Sequence, residues 1–265
     1  MTRSSRRAGK AYPDLGQLEG LRPGTGSPTD LVLVAHGTRD KAGRATSLAI
    51  RAAVADRLPG VDVDIAYIDV QAPHVGDVVT RHARTGRRVA VVPLLLSLGY
   101  HVEVDVRGAI APHPNAAASG PLGPHPILAD VLADRLWEAG AQPGDAVVLA
   151  AAGSSRASSA RDTEAVASLL ARRWPGRVGV GYGAAATPRV EHAVAAARAW
   201  RSCTTGRVVV ASYLIGEGYF LSRLADSGTD LLTDPMATHP GLVELIALRY
   251  AQTCADLDAL EREAV

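Results

Sequence analysis

The stretch LVLVAHGTRD, residues 31–40, decides the fold. Its first five residues form a continuous apolar run. His36, a glycine and three polar residues follow this run. Such a run is typical of a strand that is buried on both faces of a parallel sheet. The stretch therefore predicts an α/β protein whose first strand ends at His36.

The residues that follow predict a βαβαβ unit. A helix is expected between residues 42 and 58, because Ile50, Val54 and Leu58 recur at positions i, i+4 and i+8. The next elements are, in order, an alternating strand over 61–70, a helix over 73–84 and a strand over 87–96. This order indicates a right-handed, mostly parallel sheet with helices on both faces.

The same plan then recurs. VVLAAAGSSR, residues 147–156, resembles the opening stretch, and three later segments repeat at offsets of 114 to 119 residues. We therefore expect two tandem flavodoxin-like α/β domains that face a central cleft. The predicted division is a disordered leader over 1–29, an N-terminal domain over 30–142 and a C-terminal repeat over 143–265.

Composition excludes several classes of protein. The 28 basic and 27 acidic side chains nearly cancel, so global charge favours neither a nucleic-acid nor a membrane partner. No apolar run reaches the roughly 20 residues that span a bilayer. The two cysteines, Cys203 and Cys254, have no metal-site or disulfide spacing, which favours a reducing cytoplasm.

Three side chains follow successive predicted strands. His36 ends the first strand, Asp69 ends the second, and His101 lies in the loop GYH beyond the third. Ligands in open α/β sheets bind outside the carboxyl ends of the strands, so these residues are expected at one rim. Two imidazoles and a carboxylate suit Fe²⁺, Co²⁺ or Ni²⁺ and leave coordination positions open.

The internal repeat tests this hypothesis. At the positions equivalent to the three candidate ligands the second half has Ala152, Ala184 and Phe220. In contrast, the glycine that follows the first strand is kept, as Gly37 in one half and Gly153 in the other. A purely structural role would be needed in both halves. The joint loss predicts one metal-binding half and one retained scaffold.

The remaining histidines are interpreted as structural. His125 is matched by His239 before the same proline, which predicts that both orient a helix start. No convergent partners are visible in the sequence for the other four, so they are expected to be solvated or locally bonded: His74, His82, His113 and His192.

Three motifs carry a family resemblance: LVLVAHGTRD, AYIDVQAPHVGDVV at 66–79 and PLLLSLGYHVEVDV at 93–106. They resemble the class II chelatases, the sirohydrochlorin cobaltochelatase and ferrochelatase family, in its fused two-repeat form. The resemblance implies a chelatase-like fold and a lyase that inserts Co²⁺ or Fe²⁺ into sirohydrochlorin for cobalamin or siroheme synthesis. It also implies that His36 and His101 bind the metal. The chain departs from the family at Asp69, where Glu is usual, and at Arg107, where Pro is usual.

The implied substrate is a tetrapyrrole bearing several carboxylates. Arg39, Arg44 and Arg107 are candidates to bind these carboxylates, and Tyr100 is a candidate to contact the macrocycle; solvated arginines and a packed tyrosine are the alternatives. The motif GxxxxGK[ST] is absent, consistent with an ATP-independent enzyme. No cofactor is expected beyond the substrate metal, and two halves in one chain favour a monomer.

Three other functions compete with this reading. A histidine phosphatase is disfavoured because Ala35 occupies the position of its phosphate-binding arginine. A non-catalytic carrier of metal or tetrapyrrole would use the same histidines. A chelatase for a coproporphyrin or protoporphyrin is the third alternative, although class I enzymes of that kind are longer.

Overall fold

A computed structural model describes residues 28–97, 100–200 and 206–263, with the backbone alone at 100–102. The predicted leader lies outside the described residues apart from its last two, and Cys203 lies outside them as well. The strands are β1 (Thr29–Ala35), β2 (Val63–Tyr67), β3 (Arg88–Pro93), β4 (Ala116–Ala118), β5 (Ala146–Ala151), β6 (Val178–Tyr182), β7 (Val208–Tyr213) and β8 (Leu231–Leu232). The α-helices are α1 (Lys41–Arg57), α2 (Val75–Ala83), α3 (Tyr100–Ile110), α4 (Pro126–Glu138), α5 (Ala157–Ala171), α6 (Val190–Ala197), α7 (Tyr219–Ala225) and α8 (Pro240–Glu263).

The strands form two four-stranded parallel sheets. Their orders are β2-β1-β3-β4 and β6-β5-β7-β8, so the second sheet repeats the first. Residues Ala35 and Tyr67 are paired at the ends of β1 and β2, which brings the two carboxyl ends level with each other. The prediction of two tandem parallel α/β units is confirmed.

Burial on both faces explains why β1 forms. Leu31 and Leu33 pack into one hydrophobic layer, while Val32 and Val34 pack into the layer on the other face of the sheet. All four side chains are fully buried, and each contributes roughly 1.5–3 kcal/mol on transfer from water. The continuous apolar run is therefore the pattern that a strand between two helical layers requires.

The last helix of each half packs on the sheet of the other half. Helix α4 contacts β7 and α5, whereas α8 contacts α1, β3 and β4. The Tyr250 hydroxyl of α8 donates a hydrogen bond to the carbonyl of Thr29 in β1 at 2.8 Å. Arg173, just beyond α5, forms an ion pair with Asp130 of α4, with Nε and Oδ1 2.7 Å apart. This exchange fixes the two sheets relative to each other and so fixes the cavity between them.

One local prediction was wrong. His101 was expected in a loop, but its backbone lies in the first turn of α3. Leu98 and Gly99 directly precede this helix, and neither is a residue type that marks a helix start by its side chain.

Candidate metal centre

His36 directly follows β1 and is exposed. The loop that carries it is short and held at both ends. The Thr38 amide donates to Oε1 of Gln71 at 2.7 Å, and Oδ1 of Asp40 accepts from the amides of Ala42 and Gly43 at the start of α1. These bonds fix the backbone of the loop, so the imidazole position depends mainly on its own side-chain torsions.

Asp69 lies beside His36. Its amide donates to the His36 carbonyl at 3.0 Å, two residues beyond the end of β2. A Cβ atom placed on Gly37 would lie 2.0 Å from the Asp69 carbonyl oxygen, so only glycine permits this approach. The exposed carboxylate accepts from the Val70 amide at 2.6 Å through Oδ1. The backbones of two predicted ligands are thus brought together.

The third predicted ligand, His101, follows the third strand. In the sheet β1 lies between β2 and β3. The carboxyl ends of the strands are therefore arranged along one edge in the order β2, β1, β3, and the backbone of His101 lies in the helix that comes after β3. The described atoms of His101 are backbone atoms, so its role as a metal ligand stays a prediction.

The four predicted substrate-binding residues lie in three places: Arg39 in the loop before α1, Arg44 in α1, and Tyr100 and Arg107 in α3. Arg39 is exposed, and Nε of Arg44 donates to the Thr38 carbonyl at 3.0 Å. Nη2 of Arg107 lies 2.8 Å from Oε1 of Glu103 within α3, and 76% of the Arg107 side chain is exposed. For Tyr100 the backbone alone is described. None of the three arginines lines the cavity as the described residues define it, so their roles stay predictions.

A cavity of about 550 Å³ lies between the two halves. Its volume falls in the range of small-molecule sites, roughly 300–1,000 Å³. Residues of the first half that line it include His36, Thr38, Ser47, Tyr67 and Ser97; those of the second half include Ala152, Ser159, Thr163, Tyr213 and Phe220. His36 therefore lines a cavity that residues of both repeats enclose.

Sequence reasoning missed the hydroxyl groups of this cavity. The Oγ atoms of Ser97 and Ser159 lie 2.9 Å apart and join the two halves across its wall. Ser159 and Thr163 begin the buried stripe of α5, and Ser47 begins that of α1. Small hydroxyl residues on an otherwise apolar helix stripe were the available signal.

Tyr213 forms part of the cavity wall at the end of β7. Burial raises the pKa of its phenol, and the nearby Asp162 carboxylate raises it further. The hydroxyl group consequently stays protonated at physiological pH. Tyr213 therefore adds no charge to the cavity and supplies no proton acceptor at neutral pH.

The second half repeats the backbone of this site without its predicted ligands. The Ala184 amide donates to the Ala152 carbonyl at 2.8 Å, as the Asp69 amide does to His36. Phe220 lies in the first turn of α7, as His101 lies in that of α3. The three positions identified from the repeat are therefore structurally equivalent.

The predicted structural role of two histidines is confirmed. Nδ1 of His125 accepts from the Ile127 amide at 3.2 Å, and Nδ1 of His239 accepts from the Gly241 amide at 3.1 Å. These bonds cap the amino ends of α4 and α8, the two exchanged helices.

Another group of potential metal ligands lies at the amino end of the first sheet: Asp30, Asp62 and His82. Nδ1 of His82 lies 2.9 Å from Oδ2 of Asp30, and the Arg87 guanidinium lies 2.6 Å from Oδ1 of Asp30. The arginine already compensates the buried carboxylate, which argues for a structural ion pair rather than a cation site.

The tandem sheets and their shared cavity define a two-repeat α/β protein with the chelatase fold. The CbiX family model matches residues 30–139, which contain all three predicted ligands. The N-terminal half of the chain thus matches the CbiX family model, and the resemblance read from its motifs is confirmed.

Similar proteins agree with this assignment. The chain is 27% identical over 144 residues to the chloroplastic sirohydrochlorin ferrochelatase of Arabidopsis thaliana, which covers 51% of this chain and 63% of that relative. The aligned part thus spans less than two thirds of the relative.

Three solved structures share the fold. SirB from Bacillus subtilis with Fe³⁺ has a TM-score of 0.76 at 18% identity, covering 88% of this chain and 98% of SirB. The cobalt complex of the sirohydrochlorin chelatase SirB from Bacillus subtilis subspecies spizizenii has a TM-score of 0.69 at 20% identity, covering 88% and 97%. DR2241 from Deinococcus radiodurans, a multi-domain protein with structural similarity to chelatases, has a TM-score of 0.63 at 21% identity, covering 85% and 55%.

No helix in the described part of the chain is long and apolar enough to cross a membrane. Cys254 is a buried free thiol. The cytoplasmic location expected from the cysteine pattern stays a prediction.

Proposed function

We propose that this protein is a sirohydrochlorin chelatase that inserts Co²⁺ or Fe²⁺ into the tetrapyrrole without ATP. The observation that carries the proposal is that His36 lines the shared cavity while its carbonyl accepts the Asp69 amide, within the half that matches the CbiX family model. In this proposal His36, His101 and Asp69 hold the metal ion, which is a substrate of the reaction.

The chemistry requires metal binding and proton removal at the same place. One divalent ion enters the macrocycle while two pyrrole N–H protons leave. A neutral imidazole of His36 or His101 coordinates the ion first. After transfer the freed nitrogens of His36 and His101 can each accept one of the two pyrrole protons as general bases and release it to solvent.

Asp69 would offset the charge of the bound cation. Its Oδ1 already accepts a backbone hydrogen bond, which holds the carboxylate beside the His36 loop. Whether it binds the metal directly or orients an imidazole, its negative charge favours cation binding. A donor set of imidazole and carboxylate accepts iron, cobalt and nickel, so metal supply selects among them in the cell.

The proposal also places the whole reaction within one chain. The exchanged helices α4 and α8 join the two halves, and the cavity lining includes residues of both sheets. We therefore propose a monomer whose partners are the tetrapyrrole and the metal ion. Arg39, Arg44 and Arg107 would meet the substrate carboxylates at the rim, with Tyr100 against the macrocycle.

Anaerobic insertion of Co²⁺ and Fe²⁺ into sirohydrochlorin, followed by visible absorbance, tests this proposal. We expect metal-dependent conversion above the uncatalysed rate, abolished in His36→Ala and unchanged in His192→Ala, which removes an exposed histidine of the second half. Tight binding of macrocycle or metal without acceleration would reject the enzyme and identify a carrier.

A further inference from the structure

The chain contains a single phenylalanine, Phe220, and it is not in the core. Phe220 is 36% exposed and lines the same cavity as His36, from the opposite half. It occupies the position in α7 that His101 occupies in α3. The second half therefore places an aromatic ring in the cavity at the position that is equivalent in sequence to His101.

The neighbours of Phe220 extend this apolar surface. The ring of Tyr219 is 69% exposed and meets that of Phe220 edge-on, with centroids 5.3 Å apart and planes at 71°. Cδ1 of Phe220 lies 3.4 Å from where a Cβ atom of Gly183 would stand, so the ring covers the end of β6. Ala152, the counterpart of His36, also lines the cavity. Neither Phe220 nor Ala152 offers a metal-binding atom in its side chain.

A conjugated macrocycle matches such a cavity. Its two faces are apolar, and its carboxylates lie at the periphery. Metal enters through one face, so the other face needs a surface that packs without competing for the ion. An exposed aromatic ring provides large contact area at little entropic cost. A second imidazole at this position would instead coordinate the ion from the face of the macrocycle that is turned away from the predicted metal ligands.

We propose that Phe220, supported by Tyr219, is the surface against which the tetrapyrrole packs with the face that is turned away from the metal. Phe220 is then a substrate-contacting residue that presses the macrocycle toward His36. This inference rests on the proposed function, since it requires that a tetrapyrrole enters the cavity.

The test measures macrocycle binding without metal. Metal-free sirohydrochlorin is titrated into wild type, Phe220→Ala and Phe220→Leu, and Leu260→Ala removes a 50% exposed side chain of α8 as a control. We expect the Kd to rise about tenfold in Phe220→Ala, to rise less in Phe220→Leu, and to stay unchanged in Leu260→Ala. Co²⁺ binding measured alone should stay unchanged in all variants, and KM for the macrocycle should rise with the Kd.

Thermal unfolding of each variant separates binding from folding. Phe220 lies outside the core, so its truncation should leave Tm close to wild type, and the leucine variant carries the test if the alanine variant unfolds. If Phe220→Ala or Phe220→Leu retains the wild-type Kd and KM for sirohydrochlorin, this inference is overturned, whereas the proposed function is not. Wild type that binds no sirohydrochlorin would overturn the proposed function together with it.

Discussion

The loops that follow β1 and β2 can be compared with the loops that follow β5 and β6. Gly37 and Gly153 have φ values of +97° and +92°, and a Cβ atom on either would lie within about 2 Å of a carbonyl oxygen, that of Asp69 or Ala184. Val70 and Ala185 both have positive φ, at 66° and 53°. The strained backbone is thus the same in both halves, whether or not His36 and Asp69 are present.

This comparison separates two requirements. Backbone geometry fixes the approach of the two loops. It requires glycine in one loop and a residue with positive φ in the other, regardless of which side chains project from them. The chemistry is added by side chains that project from that frame. Substitutions of the frame should therefore affect both halves alike, and substitutions of the predicted ligands should affect function alone.

The largest effect is expected on turnover. Replacing His36 with alanine should lower metal insertion at least about a hundredfold, because the ion loses a ligand and the pyrrole proton loses an acceptor. The matched change Ala152→Ser, in the second half, should leave the rate within about twofold of wild type. Steady-state insertion assays measure both rates. Equal losses of insertion rate in the two variants would refute the prediction that only the first half binds the metal.

The next effect concerns the frame. Gly37→Ala and Gly153→Ala should each lower the free energy of unfolding by about 2 kcal/mol or more, since each forces a Cβ atom onto a backbone carbonyl at positive φ. Chemical denaturation measures this loss. At temperatures where both variants stay folded, Co²⁺ affinity should fall in Gly37→Ala and persist in Gly153→Ala. Loss of Co²⁺ binding in Gly153→Ala would break the comparison.

The histidine caps should matter less. His125→Ala and His239→Ala each remove one acceptor from a helix start, which costs about 1 kcal/mol and lowers Tm by about 2–4 °C. Insertion activity of the folded protein should remain. An inactive His125→Ala protein with unchanged Tm would show that this residue has been assigned the wrong role.

The smallest effect depends on pH. Asp145, at the start of the second half, is buried, which by itself raises the pKa of its carboxyl group, but hydrogen bonds from Arg207 and from the Gln142 amide bring that pKa below its ordinary value. The group is more acidic in the folded state, so its stabilisation is present above about pH 4 and is lost as the pH falls through the folded-state pKa. Asp145→Asn should lower Tm at pH 7, and the difference from wild type should vanish in strong acid. A difference that persists or grows in strong acid would contradict this assignment.

Much of the fold was predictable because its periodicities are local. The buried run of β1, the Ile50 and Val54 stripe of α1 and the tandem repeat all correspond to observed elements. Helix α3 was not predictable, because HVEVDV alternates apolar and charged residues as a strand does. Tertiary packing decides in favour of the helix, since Val106 and Ala109 face the same buried cluster as α2.

The site was only partly predictable. His36 and Asp69 could be placed together because strand ends converge at one edge of a parallel sheet. The exchange of α4 and α8 could not be predicted. An apolar stripe on a helix shows that one face of the helix is buried, but it does not show which sheet buries that face. A central cleft was expected from the repeat, but its lining residues and the position of Phe220 in it depend on how the two halves pack together. The domain limits at 30–142 and 143–265 stay proposals.

The central claim is that one half alone binds the metal, and counting bound ions tests it most directly. Calorimetric titration of Co²⁺ into wild type should show one equivalent per chain, absent in His36→Ala and retained in His192→Ala. Two equivalents in wild type, or one equivalent that survives in His36→Ala, would contradict the account.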